Sequence, residues 1–512
     1  MNRMLVPGIS LPGSAGAALR LKPLALAACL AWTAAGQSDP AAVAERARRA
    51  MAESRFAEAA DLYSELAGNY PDEPSLHANL GMALHLSGQD RRALAPLQKA
   101  VASMPSSFQV QFFLGASLTR LGEFEASLEP LRRAVDLDSG HPFAKALLAD
   151  ALEAAGEPFE AGRVWKALRN LEPSNPYPHA GLVRCYEQLA ADALEELIRR
   201  DPESPLVLRL LARSRMAAAQ YPSALYLFRQ ALERKPGVRI VHEAVAEIYR
   251  RSDRSDWSAA EMELADSLPR GDCAASASPD CVFERGEYDR LARFSPEAPA
   301  EEVFWAARAF AMLARESFAS LTSQRESVNQ LRLLADILAA QQQFSKAADA
   351  YRRALALRPD DGHLKRQVAE LLYRARRIDE ARPMLERLLA SDPEDGRWPA
   401  MLGSLLAEEQ DFGAAIPLLE AAMALPQPGP GVRLGLGRSY LAVGKPEEAV
   451  RHLRASLETD QDGSVHYQLA QAYQQMGRRD EARAALAGYR ELNERARQRN
   501  EASASLAITP PD

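Results

Sequence analysis

Arg209 and Arg213 stand four residues apart in a stretch of helical spacing, so their side chains share one helix face. Arg332 and Arg366 stand thirty-four apart. A guanidinium is a planar fork of donors that matches a carboxylate. In a chain of net charge −7, two such basic rungs are a local reversal of sign. The chemistry they suit is recognition of an acidic or C-terminal segment. The competing expectation is internal: Asp336 and Glu370 each follow one of these arginines by four residues, the spacing for neutralisation within a helix.

Patterns for catalysis are missing. His242-Glu243 begins like a zinc-protease motif, but Ala246 stands where the second histidine belongs. The eight histidines are scattered, without ligand spacing. No phosphate-cradling glycine loop of the Walker type and no nucleophile elbow occurs. Cys273 and Cys281 lack the second pair that a structural metal site requires. We therefore expect no enzyme, no cofactor and no bound metal. In an oxidising compartment Cys273 and Cys281 are expected to pair as a disulfide across their short Pro-containing loop. Cys185, among Leu182, Val183 and Leu189, reads as a small core residue.

The rest of the chain must supply scaffold. Of its 512 residues, 47% are hydrophobic and 26% charged, which excludes wholesale disorder. The acidic balance argues against nucleic acid as the partner, and no apolar run after the N-terminus is long enough to span a bilayer. Residues 1–36 carry Arg3, Arg20 and Lys22, then an apolar stretch from Leu24 to Trp32 and small residues at Thr33-Ala34-Ala35-Gly36. That order predicts a secretory signal and an exported, periplasmic or envelope-associated protein. Leu26-Ala27-Ala28-Cys29 is similar to a lipobox, so a lipid anchor on Cys29 is one alternative and an unprocessed cytoplasmic chain the other.

One period organises the chain beyond this N-terminal stretch. Small residues recur thirty-four apart at Gly81, Gly115 and Ala149, and again at Ala335, Ala369, Gly403 and Gly437, with Ala470 after thirty-three. A second small residue lies twelve positions after each, from Ala93, Ser127 and Ala161 to Ala347, Ala381, Ala415, Ala449 and Ala482; Ala212 and Ala224 form another pair. Apolar residues at helical spacing surround each column. Glycines such as Gly88, Gly122 and Gly156 separate the two stretches, and prolines such as Pro71, Pro105 and Pro173 close them. Each unit thus reads as two helices, with the two small residues facing each other. A fixed period of this length signals a repeat architecture.

These columns resemble the tetratricopeptide repeat (TPR). Asn79-Leu80-Gly81 through Leu84, Gly88, Ala93, Leu97, Ala100 and Pro105 match its pattern, as do Leu434 to Gly437 through Tyr440, Gly444, Ala449 and Leu453. The resemblance implies an all-α, right-handed solenoid of antiparallel helix pairs that serves protein–protein assembly. It divides the chain into the signal, a first arm over 37–267 and a junction over 268–327 with the cysteine pair and a long helix. A second arm over 328–496 and a disordered tail over 497–512 complete it. Within the first arm, 176–204 reads as a shortened helix pair, and 239–267 as a helical segment without the small-residue columns.

In this family the first helix of each unit lines the concave face. Carried over, that assigns Phe112, Phe143, Arg209, Arg213, Arg332, Arg366, Tyr373, Arg438 and Tyr467 to a peptide groove. The expected function is a non-catalytic scaffold that binds protein or peptide segments in the bacterial envelope, with acidic partner chain along Arg332, Arg366 and Arg438. The alternative is an accessory subunit of a polysaccharide-synthesis or secretion machine, whose sign would be aromatic platforms for sugar rings.

Overall fold

The computed structural model describes residues 39–269, 273, 276–295, 297–424, 428, 430–504 and 508. The expected signal and Cys29 lie outside them. Among the described residues there are twenty-six α-helices and no strand. The chain forms two compact units: residues 1–192 with 309–324, and residues 193–308 with 325–512. In each, the repeat helices pack against their neighbours in the chain, the α-α solenoid arrangement.

Local sequence sets the helix boundaries. Proline opens the helices Pro74–Leu86, Pro142–Ala154 and Pro205–Ala217, where its missing N–H costs nothing. The Ser204 hydroxyl accepts from Val207 N at 3.3 Å, and Asp361 accepts from His363 and Leu364 N at 3.0 and 3.1 Å. Gly88 turns the first helix of its pair into the second at φ +81, a conformation open to glycine at little cost. The same corner is taken by Asp253, Gln342, Arg376 and Gln410, all with positive φ, so the turn survives where the glycine signal is lost.

The small-residue columns make room for more than each other. A Cβ on Gly115 would lie 2.5 Å from Leu131 Cγ, and one on Gly437 2.5 Å from Leu453 Cγ. The first small residue therefore seats a large side chain sixteen positions on as well as meeting its small counterpart twelve on, as at Gly437, where the Ala449 carbonyl lies 3.5 Å from the Cβ position. Leu97, Leu131, Leu419 and Leu453 fill that place, and all are fully buried. In the unit of Ala149 the place holds Trp165, which also presses on Gly181 of the following helix.

Three expected boundaries change. Residues 176–204 are not a shortened pair: Pro176–Arg200 is one unbroken helix. The position thirty-four after Gly156 is Ala190, inside the strong helix-forming run Leu189-Ala190-Ala191, so nothing turns the chain. Residues 239–267 do keep the columns, at Ala246 and Ser258. The helices Arg239–Arg251 and Ser255–Ser267 form a regular pair in which the Ser258 hydroxyl donates to Ala246 O at 2.9 Å. The closing helix Arg479–Ala504 extends into the tail expected to be disordered. Its composition favours helix, and Arg495 pairs with Glu491 one turn back at 2.6 Å.

The junction holds two short helices, Pro279–Glu284 and Tyr288–Leu291, and the long helix Ala300–Ser323. Cys273 and Cys281 are bonded, with Cα atoms 4.8 Å apart. Arg285 ties the loop down by donating to Cys273 O at 2.6 Å and Ser276 O at 2.9 Å. Cys185 is a buried free thiol, its acidity suppressed by burial.

Candidate interaction surfaces

In the first unit, Phe112 and Phe143 join one aromatic group. Phe112 stacks on Phe108 at 5.7 Å, His141 lies 4.7 Å from Phe108 and 5.8 Å from Phe112, and Phe143 lies 6.2 Å from His141. Phe143 is 37% exposed. The columns showed the two phenylalanines on adjacent first helices. The contributions of Phe108 and His141, each one turn or less away, carried no signal in the sequence.

Two buried polar groups in the same unit were also invisible to motif reading. His85 Nδ1 lies 2.7 Å from Asp90 Oδ1 and 3.0 Å from Ser117 Oγ, and Asp90 meets Arg120 at 3.0 Å. The trio has the composition of a hydrolytic triad but not its geometry. Serine and aspartate meet the same ring nitrogen, whereas proton relay requires opposite ones. Burial holds the His85 imidazole below its ordinary range. The group is a clasp between consecutive repeats.

The second group joins three helices. Glu153 accepts from both Arg184 Nε and Nη2, at 2.8 and 3.0 Å, and from Trp165 Nε1 at 2.5 Å. The Tyr177 hydroxyl donates to Asp150 at 2.8 Å. Burial pushes the Asp150 carboxyl up to about 7; Arg184 opposes this from 3.8 Å, but its fork is committed to Glu153. The unfolded carboxyl titrates near 3.9. The folded state thus holds the proton more tightly, and the stability this group contributes at low pH is lost as pH rises through about 7. Melting of wild type relative to an Asp150→Asn variant should therefore shift downward between pH 5 and pH 8. A pH-independent difference would contradict the assignment.

The second unit holds the remaining sequence candidates. Arg332 and Arg366 are half-buried on the first helices Val328–Ala340 and Gly362–Arg374, and Arg438 is exposed on Pro430–Ala442. The internal pairing expected from spacing does not occur. The Tyr351 hydroxyl donates to Asp336 at 2.5 Å, and Glu370 pairs with Arg374 at 3.0 Å. Arg332 lies beside the Tyr351 hydroxyl, and its Nε is buried without a partner. Among the described residues, none of Arg332, Arg366 and Arg438 takes part in an ion pair of those seen throughout this unit. The thirty-four-residue spacing aligns only Arg332 and Arg366; Arg438 belongs to the column of Asp336, Glu370 and Ser404. Tyr373 is half-buried beside Ser404 of the next repeat, and Tyr467, 44% exposed, packs 5.3 Å from Tyr489.

Arg209 and Arg213 lie on Pro205–Ala217, but not as two outward-facing rungs. Arg209 is only 8% exposed and stacks over Phe304 at 4.4 Å, while Arg213 is half-buried. The long helix Ala300–Ser323 supplies Phe304, which has no place in the repeat columns.

Among the described residues, no group of three or more histidine, cysteine, aspartate or glutamate side chains is placed to hold a metal ion. No helix there is long and apolar enough to cross a membrane.

A structure of stacked helix pairs carrying side chains outward, with its polar clusters used to join repeats, is an interaction scaffold. Tetratricopeptide repeat models match residues 45–108, 88–142, 188–239, 338–405, 406–466 and 463–488, more than half of the sequence. The chain belongs to the tetratricopeptide repeat family. Comparison with curated proteins finds no match. Among solved structures, similarity extends to MamA of AMB-1, at 26% identity over 32% of this chain and 98% of that one, with a TM-score of 0.29. MamA from Desulfovibrio magneticus RS-1, from residue 41 to its end, is 15% identical over 45% and 96%, with a TM-score of 0.26. The APC/C hetero-tetramer Cut9–Hcn1 is 14% identical over 90% and 96%, with a TM-score of 0.30.

Proposed function

We propose that the chain is a non-catalytic adaptor of the bacterial envelope, and that an acidic segment of a protein partner binds the second unit across Arg332, Arg366 and Arg438. One observation carries this reading: the acids placed to neutralise Arg332 and Arg366 are engaged elsewhere, by Tyr351 and Arg374. Among the described residues neither the Arg332 nor the Arg366 guanidinium is in an ion pair; Arg332 bonds the Tyr351 side chain through part of its fork, and a carboxylate from outside would complete the pairing. Tyr373 and Tyr467 offer apolar contact for the same segment. Capture from envelope extract with the wild-type chain, repeated with Arg332→Glu and Arg366→Glu together, tests it. A partner retained by the first and lost by the second supports the reading.

Export follows from the charge order of the N-terminus and is supported by the Cys273–Cys281 bond, which an oxidising compartment would maintain. Intact-mass measurement of protein made with its native N-terminus should show loss of the segment ending near Gly36. A full-length, unacylated cytoplasmic species would refute export.

The accessory-subunit reading has one observation in its favour, the grouping of Phe108, Phe112, His141 and Phe143 in the first unit. Sugar rings stack on such faces, and a glycan-binding assay with Phe143→Ala would detect it.

A further inference from the structure

Three arginines of the second unit are gathered without a carboxylate in ion-pair contact among the described residues. Arg209 and Arg213 come from Pro205–Ala217, and Arg308 from Ala300–Ser323. Arg308 is only 7% exposed, and its Nη1 is buried with no hydrogen-bond partner. Its guanidinium stands 3.9 Å from the centre of Phe283, 4.8 Å from Trp305 and 5.8 Å from Phe304. Arg209 stacks on the same Phe304 ring. Aromatic faces hold the guanidinium planes but accept none of their in-plane N–H donors. The ring beneath Arg308 is positioned by the junction, since Phe283 lies two residues after Cys281 of the disulfide loop.

The electrostatics are unbalanced. Burial, with Arg213 and Arg209 as like-charged neighbours, pushes the Arg308 guanidinium down to about 8. Burial, with Arg213, brings Arg209 to about 10. A guanidinium keeps its proton in a protein, so the charges stay, held at a cost that comes first from burial and second from their mutual repulsion. The acids that act on the group are Glu301, toward Arg209, and Glu243, toward Arg213; Tyr288 acts on Arg308. Glu243 is already paired with Arg239 at 2.8 Å. Arg239 also pairs with Asp266 at 2.6 Å. Counting Arg239, four arginines thus face three carboxylates, Glu301, Glu243 and Asp266, and a surplus near one positive charge remains.

We propose that Arg209, Arg213 and Arg308 form a binding site for a phosphate group, an oxyanion whose negative charge answers that surplus and whose oxygens can accept from several guanidinium donors. Arg213 is half-buried, and Arg308 contributes a buried Nη1 donor that has no partner. Arginine clusters recognise phosphate through several charge-assisted bonds at once. The site shares no residue with the Arg332–Arg366–Arg438 surface, so its failure leaves that reading untouched, and the reverse also holds.

The test titrates the full, disulfide-intact chain with inorganic phosphate, with a phosphoserine peptide, with the same peptide unphosphorylated, and with succinate. The readouts are tryptophan emission, to which Trp305 reports, and the melting temperature. Both phosphate probes should bind and raise the melting temperature, and the unphosphorylated peptide and succinate should bind at least tenfold more weakly. Saturation by the phosphopeptide at lower concentration than by inorganic phosphate assigns the group to a protein segment; the converse assigns it to a free phosphate compound. Arg308→Met should weaken phosphate at least tenfold without lowering the ligand-free melting temperature, because it removes an unpaired buried charge. Should that variant fold poorly, Arg213→Gln should show the same loss. Absence of any phosphate effect at about 10 mM, an undiminished response in both variants, or equal binding of succinate would overturn the proposal.

Discussion

Trp165→Ala is expected to lower folding stability by about 3–5 kcal/mol, the range for deleting a fully buried aromatic side chain. Trp165 is wholly inaccessible, and its indole N–H donates to Glu153 at 2.5 Å. The ring meets Tyr177 edge-on at 5.3 Å and fills the space that Gly181 leaves open. The substitution would remove packing from three consecutive helices and one of the donors to the half-buried Glu153 carboxylate. Stacked repeats are stabilised by contacts with immediate neighbours, so no distant part of the chain can compensate. Urea unfolding of both proteins would measure the difference. A loss below about 1 kcal/mol would mean that the neighbouring helices collapse into the space, contrary to a tight seating of the indole on Gly181.

The same residue shows what the sequence made legible. The spacing of small residues located the helix pairs because a close helix approach admits no Cβ at Gly115 or Gly437. It did not reveal what presses on them, since Leu131, Leu453 and Trp165 sit in a column of large residues, of which leucines abound. Where the turn residue changed, the reading erred. Ala190 let Pro176–Arg200 continue as one helix, while Asp253 turned the chain without glycine. Ala246 and Ser258 continue the period but stand beside an irregular neighbour that hides it. The aromatic and basic residues of the surfaces were legible by position only. Arg308 lies in a helix outside the repeat, where no period marks it, and its significance arises from Phe283, Phe304 and Trp305 converging through the fold. Whether Arg332 and Arg366 are spent on Asp336 and Glu370 also required coordinates, because side chains fifteen residues away and in the same helix compete for those acids.

Reversing both charges, Arg332→Glu with Arg366→Glu, is expected to cost about 2 kcal/mol or more in partner binding, roughly thirtyfold in affinity. Each substitution removes a fork-like donor and sets a carboxylate against an acidic segment. Arg332 and Arg366 repeat at one register on two first helices of the same unit, so an extended segment can meet both. The effect should grow at low salt, where exposed charges are less screened. The folded state should change little, since neither arginine is engaged in an ion pair among the described residues. Calorimetric titration of the captured partner segment into wild type and the double variant, with thermal melts of both, is the most direct measurement. The expected result is roughly a thirtyfold loss of affinity or more, with nearly unchanged melting. Equal affinity with equal melting would contradict it, and show Arg332 and Arg366 to be ordinary solvated surface.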